Sequence, residues 1–152
     1  MKLAEALQLR ADLQKRINQL DSRLLNNARV QEGEQPSEDP AQLLKEQEDC
    51  YTELEALVGR INLTNSRTML PQGSLTALLA KRDRLTRQLL SLRNFLDAAS
   101  SLTGRATRSE IKVKSTVDVR SLQKDVDRRS AELRTLEGTI QAANWTTELM
   151  EE

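Results

Sequence analysis

The sequence predicts an all-α protein of four long helices, and three observations lead to that prediction. Apolar residues recur at steps of three and four along four separate segments. The five glycines and three prolines fall mostly between those segments. Leucine supplies 26 of the 152 residues, whereas only three residues are aromatic. This pattern is typical of coiled-coil-like antiparallel hairpins in a helical bundle. We expect one domain over residues 1–152, with helices near 2–28, 40–67, 74–102 and 118–150.

Each predicted helix carries its own apolar stripe. The stripe of the first helix contains Leu3, Ala6, Leu13, Ile17, Leu20 and Leu24. That of the second contains Leu43, Cys50, Leu54, Leu57 and Ile61, and it is widened by Leu44, Tyr51 and Val58. That of the third contains Leu75, Leu78, Leu85, Leu89, Leu92, Leu96 and Ala99. That of the fourth contains Val119, Leu122, Val126, Leu133, Leu136, Ile140, Ala143 and Met150. These stripes are the predicted core.

Local signals indicate where three of the helices begin. Asp39 before Pro40 fits an N-cap followed by proline at the first helical position, and Gln42 completes a capping-box pattern. Ser74 and Asp118 are the expected N-caps of the third and fourth helices.

Two glycines, Gly59 and Gly138, lie inside helical patterns. Glycine in a helix interior costs about 1 kcal/mol relative to alanine. Close approach of a neighbouring helix and a tolerated surface glycine are both open interpretations.

One segment does not follow the helical period. Residues 111–117 read Ile-Lys-Val-Lys-Ser-Thr-Val, an alternation rich in β-branched residues that predicts a short half-exposed strand. It lies in a non-helical stretch, residues 103–117, between the third and fourth helices. Because a strand needs a partner, we expect it to pair with residues 28–31, Ala-Arg-Val-Gln. An irregular extended linker is the alternative.

The zero net charge is a cancellation between acidic and basic segments. Residues 31–55 hold nine acids and one lysine, whereas residues 81–104 carry a net charge of +3 and residues 105–134 one of +4. We expect the acidic second helix to lie beside a basic helix, as an antiparallel neighbour or across an interface. Solvated faces of little energetic weight are the alternative.

The composition argues against an enzyme. There is no histidine, the commonest general base and a frequent metal ligand, and the glycines form no phosphate-binding loop. The lone Cys50 excludes an internal disulfide and a cysteine-rich zinc site, and its place on an apolar stripe indicates a core residue. The acids of residues 46–55 lie mostly off that stripe. We therefore expect no catalytic residue, no cofactor and no metal.

A cytoplasmic protein is expected, because no secretory signal and no apolar stretch of about 20 residues is present. The zero net charge argues against nucleic-acid and membrane partners. An RNA-binding helical arm stays open as an alternative, since residues 81–93 and 105–114 are basic. The aromatic residues that stack on bases are missing from both stretches.

Four residues are candidates for a polar seam or an interface. Arg10, Arg82 and Arg129 each occupy a core-type heptad position, where an arginine can fix helix register, line a polar channel or reach solvent past a narrow seam. Trp145 can anchor an interface or cover one end of the bundle. Three further polar residues share core-type positions: Asn27, Gln47 and Thr147.

Short motifs spread over the whole chain resemble a family of small bacterial proteins of unknown function, some of which carry the name septicolysin. The matching stretches lie at residues 1–7, 10–17, 30–34, 38–40, 61–65, 75–78, 82–83, 108–111, 116–119 and 144–149. None of these motifs is catalytic. The septicolysin name implies a pore-forming, membrane-active protein, although the residues show neither an export signal nor a membrane-facing amphipathic hairpin.

The function predicted from the sequence is that of a non-enzymatic, homo-oligomeric structural or interaction protein. Leucine stripes this wide are hard to bury within one thin bundle, and self-association would cover the remainder. A membrane-active septicolysin-like protein and an RNA-binding protein are the two alternatives.

Overall fold

The structure is a computed structural model that describes residues 1–102 and 111–151. It contains four long helices in this part of the chain: α1 (Leu3–Asn26), α2 (Pro40–Arg67), α3 (Leu75–Ser100) and α4 (Val119–Thr146). The all-α prediction is therefore confirmed. The bounds of α2 agree with those expected, while α1, α3 and α4 end two to four residues earlier than expected.

The predicted N-caps hold the helix starts. The Asp39 carboxylate accepts the Ala41 N–H at 3.0 Å, with Pro40 in the first helical position. Ser74 Oγ accepts the Ala77 N–H at 3.1 Å, and Asp118 Oδ1 accepts a backbone N–H at 3.1 Å from the first turn of α4. Each cap satisfies a donor that has no partner within the helix.

The chain divides into two compact units, Met1–Leu70 with Ala143–Glu152, and Pro71–Ala142. In the first unit α1 and α2 pack antiparallel: Arg23 pairs with Glu38 near their connection, and Arg16 pairs with Glu46 further away. Arginines of α1 thus pair with some of the acidic residues of α2 and of the segment before it, for which the sequence predicts a basic neighbour. Whether the whole chain behaves as one cooperative domain stays a prediction.

Most residues of the predicted stripes, with one polar addition, form the core between α1 and α2. The buried residues of this core are Leu3, Ala6, Leu13, Ile17, Leu20, Leu43, Cys50, Leu57, Ile61 and Thr64. Leu24, Leu54 and Val58 are only partly buried, and Leu44 and Tyr51 are exposed. The connection from α1 to α2 is fixed by the buried Asn27, whose Nδ2 donates to the Arg23 carbonyl at 2.8 Å and whose Oδ1 accepts the Glu38 N–H at 3.0 Å. Asn27 therefore stabilises the loop through both the nitrogen and the oxygen of its amide.

In the second unit α3 packs against α4 through an aliphatic cluster. Leu89, Leu96 and Val126 are buried there, and the partly buried residues packed on them are Leu92, Val119, Leu122 and Leu133. Lys81 Nζ lies 3.0 Å from Glu132 Oε1, and Arg129 donates to Gln88 Oε1 at 3.1 Å. The contact moves to higher residue numbers on α3 as it moves to lower residue numbers on α4, so the two helices are antiparallel.

The prediction of a strand at 111–117 is wrong. These residues form no strand, and neither do residues 28–31. Residues 103–110 of the predicted non-helical stretch lie outside the described residues. The small sheet lies instead between α2 and α3, where β1 (Met69–Leu70) pairs with β2 (Gly73–Ser74).

The turn between these two strands explains their position. Pro71 presets the turn, and Gly73 has φ +135°, a value that residues with a Cβ rarely adopt. A tight turn gives Met69–Leu70 a partner within six residues. Among the described residues the segment at 111–117 has no such partner close in sequence, and an isolated strand is unstable.

The helix-interior glycines are not points of close approach. A Cβ added at Gly59 or Gly138 would meet no described atom within 4 Å. Both are tolerated surface glycines.

Candidate functional site

Arg129, one of the predicted seam residues, lies on the contact between α3 and α4. Its Nε donates to Asp125 Oδ2 at 3.1 Å on its own helix, and its Nη1 donates to Gln88 Oε1 of α3 at 3.1 Å. Hydrogen bonds from Arg128 and then from Arg129 hold the pKa of Asp125 below its usual value. Since the guanidinium is only partly buried, it links the two helices at the edge of the apolar cluster. A role in fixing their register stays a prediction.

Arg82 and Arg10 have different surroundings. Arg82, half-exposed, pairs with its chain neighbour Asp83 at 3.3 Å. Arg10 is partly buried on α1 and forms no ion pair with any residue of the described part of the chain. The three predicted arginines therefore share no ion-pair partner among the described residues.

Trp145, the fourth predicted residue, is 60% exposed near the end of α4. It borders a shallow groove whose other lining residues all belong to α1: Ala4, Glu5, Gln8, Leu9 and Asp12. An indole exposed to this degree keeps most of its surface available for a partner. Its role as an interface anchor stays a prediction.

A polar cluster that the sequence did not reveal joins the two ends of the described chain. After α4, residues 147–151 run antiparallel to the first residues. The Leu3 N–H donates to the Thr147 carbonyl at 2.9 Å, and the Leu149 N–H donates to the Met1 carbonyl at 2.8 Å. Leu149 is buried beneath this pairing. The 147–151 segment thereby closes the core of the first unit.

Thr64 anchors the same segment from α2. Its side chain is fully buried, and its Oγ1 accepts the Met150 N–H at 2.9 Å while donating to the Arg60 carbonyl at 2.8 Å. The Arg60 guanidinium reaches the Met150 carbonyl at 3.4 Å. The burial of Thr64 could have been predicted from the sequence. Leu43, Cys50 and Leu57 follow one another at steps of seven, and the next step places residue 64 on the same apolar stripe.

Exposed ion pairs also join the 147–151 segment to the first residues of the chain. Glu148 accepts from Lys2 Nζ at 2.5 Å and from the Met1 ammonium at 3.3 Å. These hydrogen bonds, Lys2 first, keep the pKa of the Glu148 carboxyl below its usual value. At the opposite end of the hairpin, the hydrogen bonds from Arg23 lower the pKa of Glu38 in the same way. Both carboxylates are therefore ionised at neutral pH.

An exposed stripe of mixed chemistry runs along α2. We call the set Leu44, Glu48, Tyr51, Glu55 and Val58 the α2 stripe. Steps of four and three place these five side chains along one line of the helix. Leu44 is 56% exposed and Tyr51 50% exposed, and Val58 is partly buried. The α2 stripe thus alternates apolar and acidic side chains on a surface that α1 does not cover.

A second exposed apolar side chain lies among arginines on α3. Leu90 is 63% exposed, and Arg87 and Arg93 lie three residues before and after it. Arg93 contacts the neutral Ser130 hydroxyl at 2.9 Å, and Arg87 forms no ion pair within the described residues. We call Arg87, Leu90 and Arg93 the α3 arginine face.

Neither surface has the donors of a metal site. In the described ranges, no group of three or more His, Cys, Asp or Glu side chains is arranged to hold a metal ion. Cys50 is buried in the α1–α2 core. No helix among the described residues has the length and apolar content needed to cross a membrane.

Comparisons with known proteins lead to relatives without an assigned role. The model of a family of unknown function (DUF6847) matches residues 10–149. The chain is also similar to a functionally unknown conserved protein from Corynebacterium diphtheriae, whose crystal structure superposes with a TM-score of 0.93, at 41% identity over 99% of both chains. No curated protein matches the chain. These findings agree with the expected family of unknown function, but none supports the septicolysin name.

Proposed function

We propose that this chain, which belongs to a family of unknown function (DUF6847), is a non-enzymatic interaction protein that assembles with copies of itself. The observation that carries the proposal is the α2 stripe. Single exposed apolar residues are common on protein surfaces, but Leu44, Tyr51 and Val58 recur every seven residues along one helix. That spacing is the one at which a second helix contacts a first.

The energetics favour burial of this surface by a partner. Covering the exposed parts of Leu44 and Tyr51 removes apolar area from water, at about 25 cal/mol per Å². Helical residues are already ordered, so association of this face loses little backbone entropy. Acids between the apolar residues keep the free protein soluble and select the partner.

The other functions considered have less support. Catalysis would require a site built without histidine, and none of the described polar clusters pairs a nucleophile with a base. Membrane activity rests on the septicolysin name, which neither the matching family model nor the similar crystal structure carries. RNA binding retains one supporting feature, the arginines of α3, but Leu90 at their centre is an aliphatic side chain with no ring to stack on a base.

Light scattering over a range of protein concentrations tests the proposal. We expect a mass that rises above the 17.2 kDa of one chain. Replacing Leu44 and Tyr51 by glutamine shifts the population toward monomer. The matched control is Leu25→Gln, because Leu25 is 78% exposed on α1 and lies off the α2 stripe. A wild-type protein that stays at 17.2 kDa at every concentration overturns the proposal.

A further inference from the structure

The acids of the α2 stripe carry charge that the chain does not neutralise locally. In the described residues, the ion pairs of α2 join Glu46 to Arg16 of α1, Lys45 to Asp49, and Arg60 to Glu151. Glu48 and Glu55 form none there. They flank Tyr51 by three and four residues. The centre of the stripe is therefore an aromatic side chain between two available carboxylates.

The α3 arginine face has the complementary arrangement. Leu90 lies between Arg87 and Arg93, and no described carboxylate pairs with either guanidinium. Residues 81–93 hold five basic side chains and one acid, whereas residues 46–55 hold five acids and no base. Each surface presents an apolar centre with like charges on both sides, and the two signs are opposite.

We propose that the α2 stripe of one copy docks on the α3 arginine face of a second copy, which rests on the self-assembly proposed above and names its contact surfaces. Tyr51 packs on Leu90, and the guanidiniums of Arg87 and Arg93 pair with the carboxylates of Glu48 and Glu55. Arginine suits this role because its planar group binds a carboxylate through two parallel hydrogen bonds.

Charge decides which surfaces of two copies meet. Two α2 stripes would bring Glu48 and Glu55 against their equivalents, and two α3 faces would do the same with arginines, so both like-with-like contacts are repulsive. Only the α2–α3 combination is attractive. Each copy carries both the α2 stripe and the α3 arginine face. The contact can therefore occur twice in a closed dimer, or once between each pair of neighbouring copies in a larger ring.

A charge-exchange experiment tests this contact. One variant carries Glu48→Lys with Glu55→Lys, and the other carries Arg87→Glu with Arg93→Glu. We expect each variant alone to lose self-association by about tenfold or more in Kd. An equimolar mixture restores it, because each reversed surface then meets its opposite. Added salt weakens wild-type association, since the exposed pairs are screened.

A matched control reverses charges elsewhere on the surface. Glu137→Lys with Arg134→Glu changes exposed residues of α4 and leaves association unchanged. Circular dichroism and thermal unfolding of every variant exclude misfolding as the cause of a lost contact. Rescue by mixing is independent of folding defects, because a misfolded chain regains nothing from its partner variant.

The possible outcomes separate this inference from the function it rests on. Wild-type assembly that survives both reversals overturns the α2–α3 contact and leaves self-assembly standing. A monomeric wild type overturns both. If the Arg87→Glu and Arg93→Glu variant instead loses binding to a single-stranded RNA probe while wild-type mass stays at one chain, the arginine face binds nucleic acid and the inference is wrong.

Discussion

The hydroxyl of Thr64 accepts the backbone N–H of Met150 at 2.9 Å, across 86 positions of the sequence. The same oxygen donates to the Arg60 carbonyl one helical turn earlier. Thr64 is thus both a helix residue of α2 and the acceptor that fixes the 147–151 segment. The Thr64 side chain is fully buried, so water has no access to this oxygen in the folded protein.

Replacing this hydroxyl is expected to release the segment. Thr64→Val keeps the side-chain shape but leaves the partly buried Met150 N–H without its acceptor, which costs about 1–3 kcal/mol of the free energy of unfolding. Urea unfolding measures the loss, and amide hydrogen exchange at Met150 locates it. Thr64→Ser, which retains the hydroxyl, keeps the Met150 amide protected. Equal Met150 protection in the valine and serine variants would contradict the assignment.

A pH dependence follows from the Glu148 pairs. Lys2 and the Met1 ammonium lower the pKa of Glu148 in the folded protein relative to the unfolded chain. A carboxyl shifted downward contributes stability above its unfolded pKa, about 4.3, and loses it as the pH falls through the folded value. We expect Glu148→Gln to unfold at a lower temperature than the wild type at pH 7, with a difference that shrinks below about pH 4.

The matched control for this titration is Glu137→Gln. Glu137 is exposed and forms no ion pair with a described residue, so its replacement leaves the melting temperature nearly unchanged across the same range. Thermal melts of the three proteins from pH 3 to about pH 7 provide the comparison. A Glu148→Gln deficit that persists undiminished at the acid end would mean that the ionised pair is not its source.

Sequence periodicity located the helices because their cores are aliphatic and regular. The start of α2 was predictable to the residue, since Asp39 caps it and Pro40 enters it. The end of α4 was not. Met150 continues the apolar spacing of that helix, yet α4 ends at Thr146. Burial of a side chain does not reveal whether its backbone is helical, and here the backbone of Met150 bonds to Thr64 instead.

Long-range partners could not be read from local pattern. Arg82 and Arg129 occupy similar heptad positions, but only Arg129 reaches across to the neighbouring helix, at Gln88. Arg82 finds Asp83 on its own helix. A flexible arginine side chain can reach several partners, so the partner cannot be predicted from the heptad spacing alone.

The leucines of α1 provide a direct test of the packing. Leu20 is fully buried, whereas Leu25 is 78% exposed on the same helix. Leu20→Ala leaves a cavity and is expected to lower the free energy of unfolding by roughly 2–5 kcal/mol. Leu25→Ala changes it by no more than about 0.5 kcal/mol. Urea unfolding of both variants measures the contrast, and similar losses would contradict the assigned core face of α1.

Two glycines are expected to respond in opposite directions to alanine. Gly138 lies inside α4, and an added Cβ would meet no described atom within 4 Å. Gly138→Ala should therefore raise the free energy of unfolding by about 0.5–1 kcal/mol, because alanine restricts the unfolded chain and favours the helix.

At Gly73 the nearest atoms are 3.8 Å from an added Cβ, an ordinary contact, so space is not limiting. Its φ of +135° is limiting, and Gly73→Ala should lower the melting temperature by straining the turn between β1 and β2. Thermal unfolding decides both signs, and a stabilising Gly73→Ala would show that the turn does not require the conformation observed.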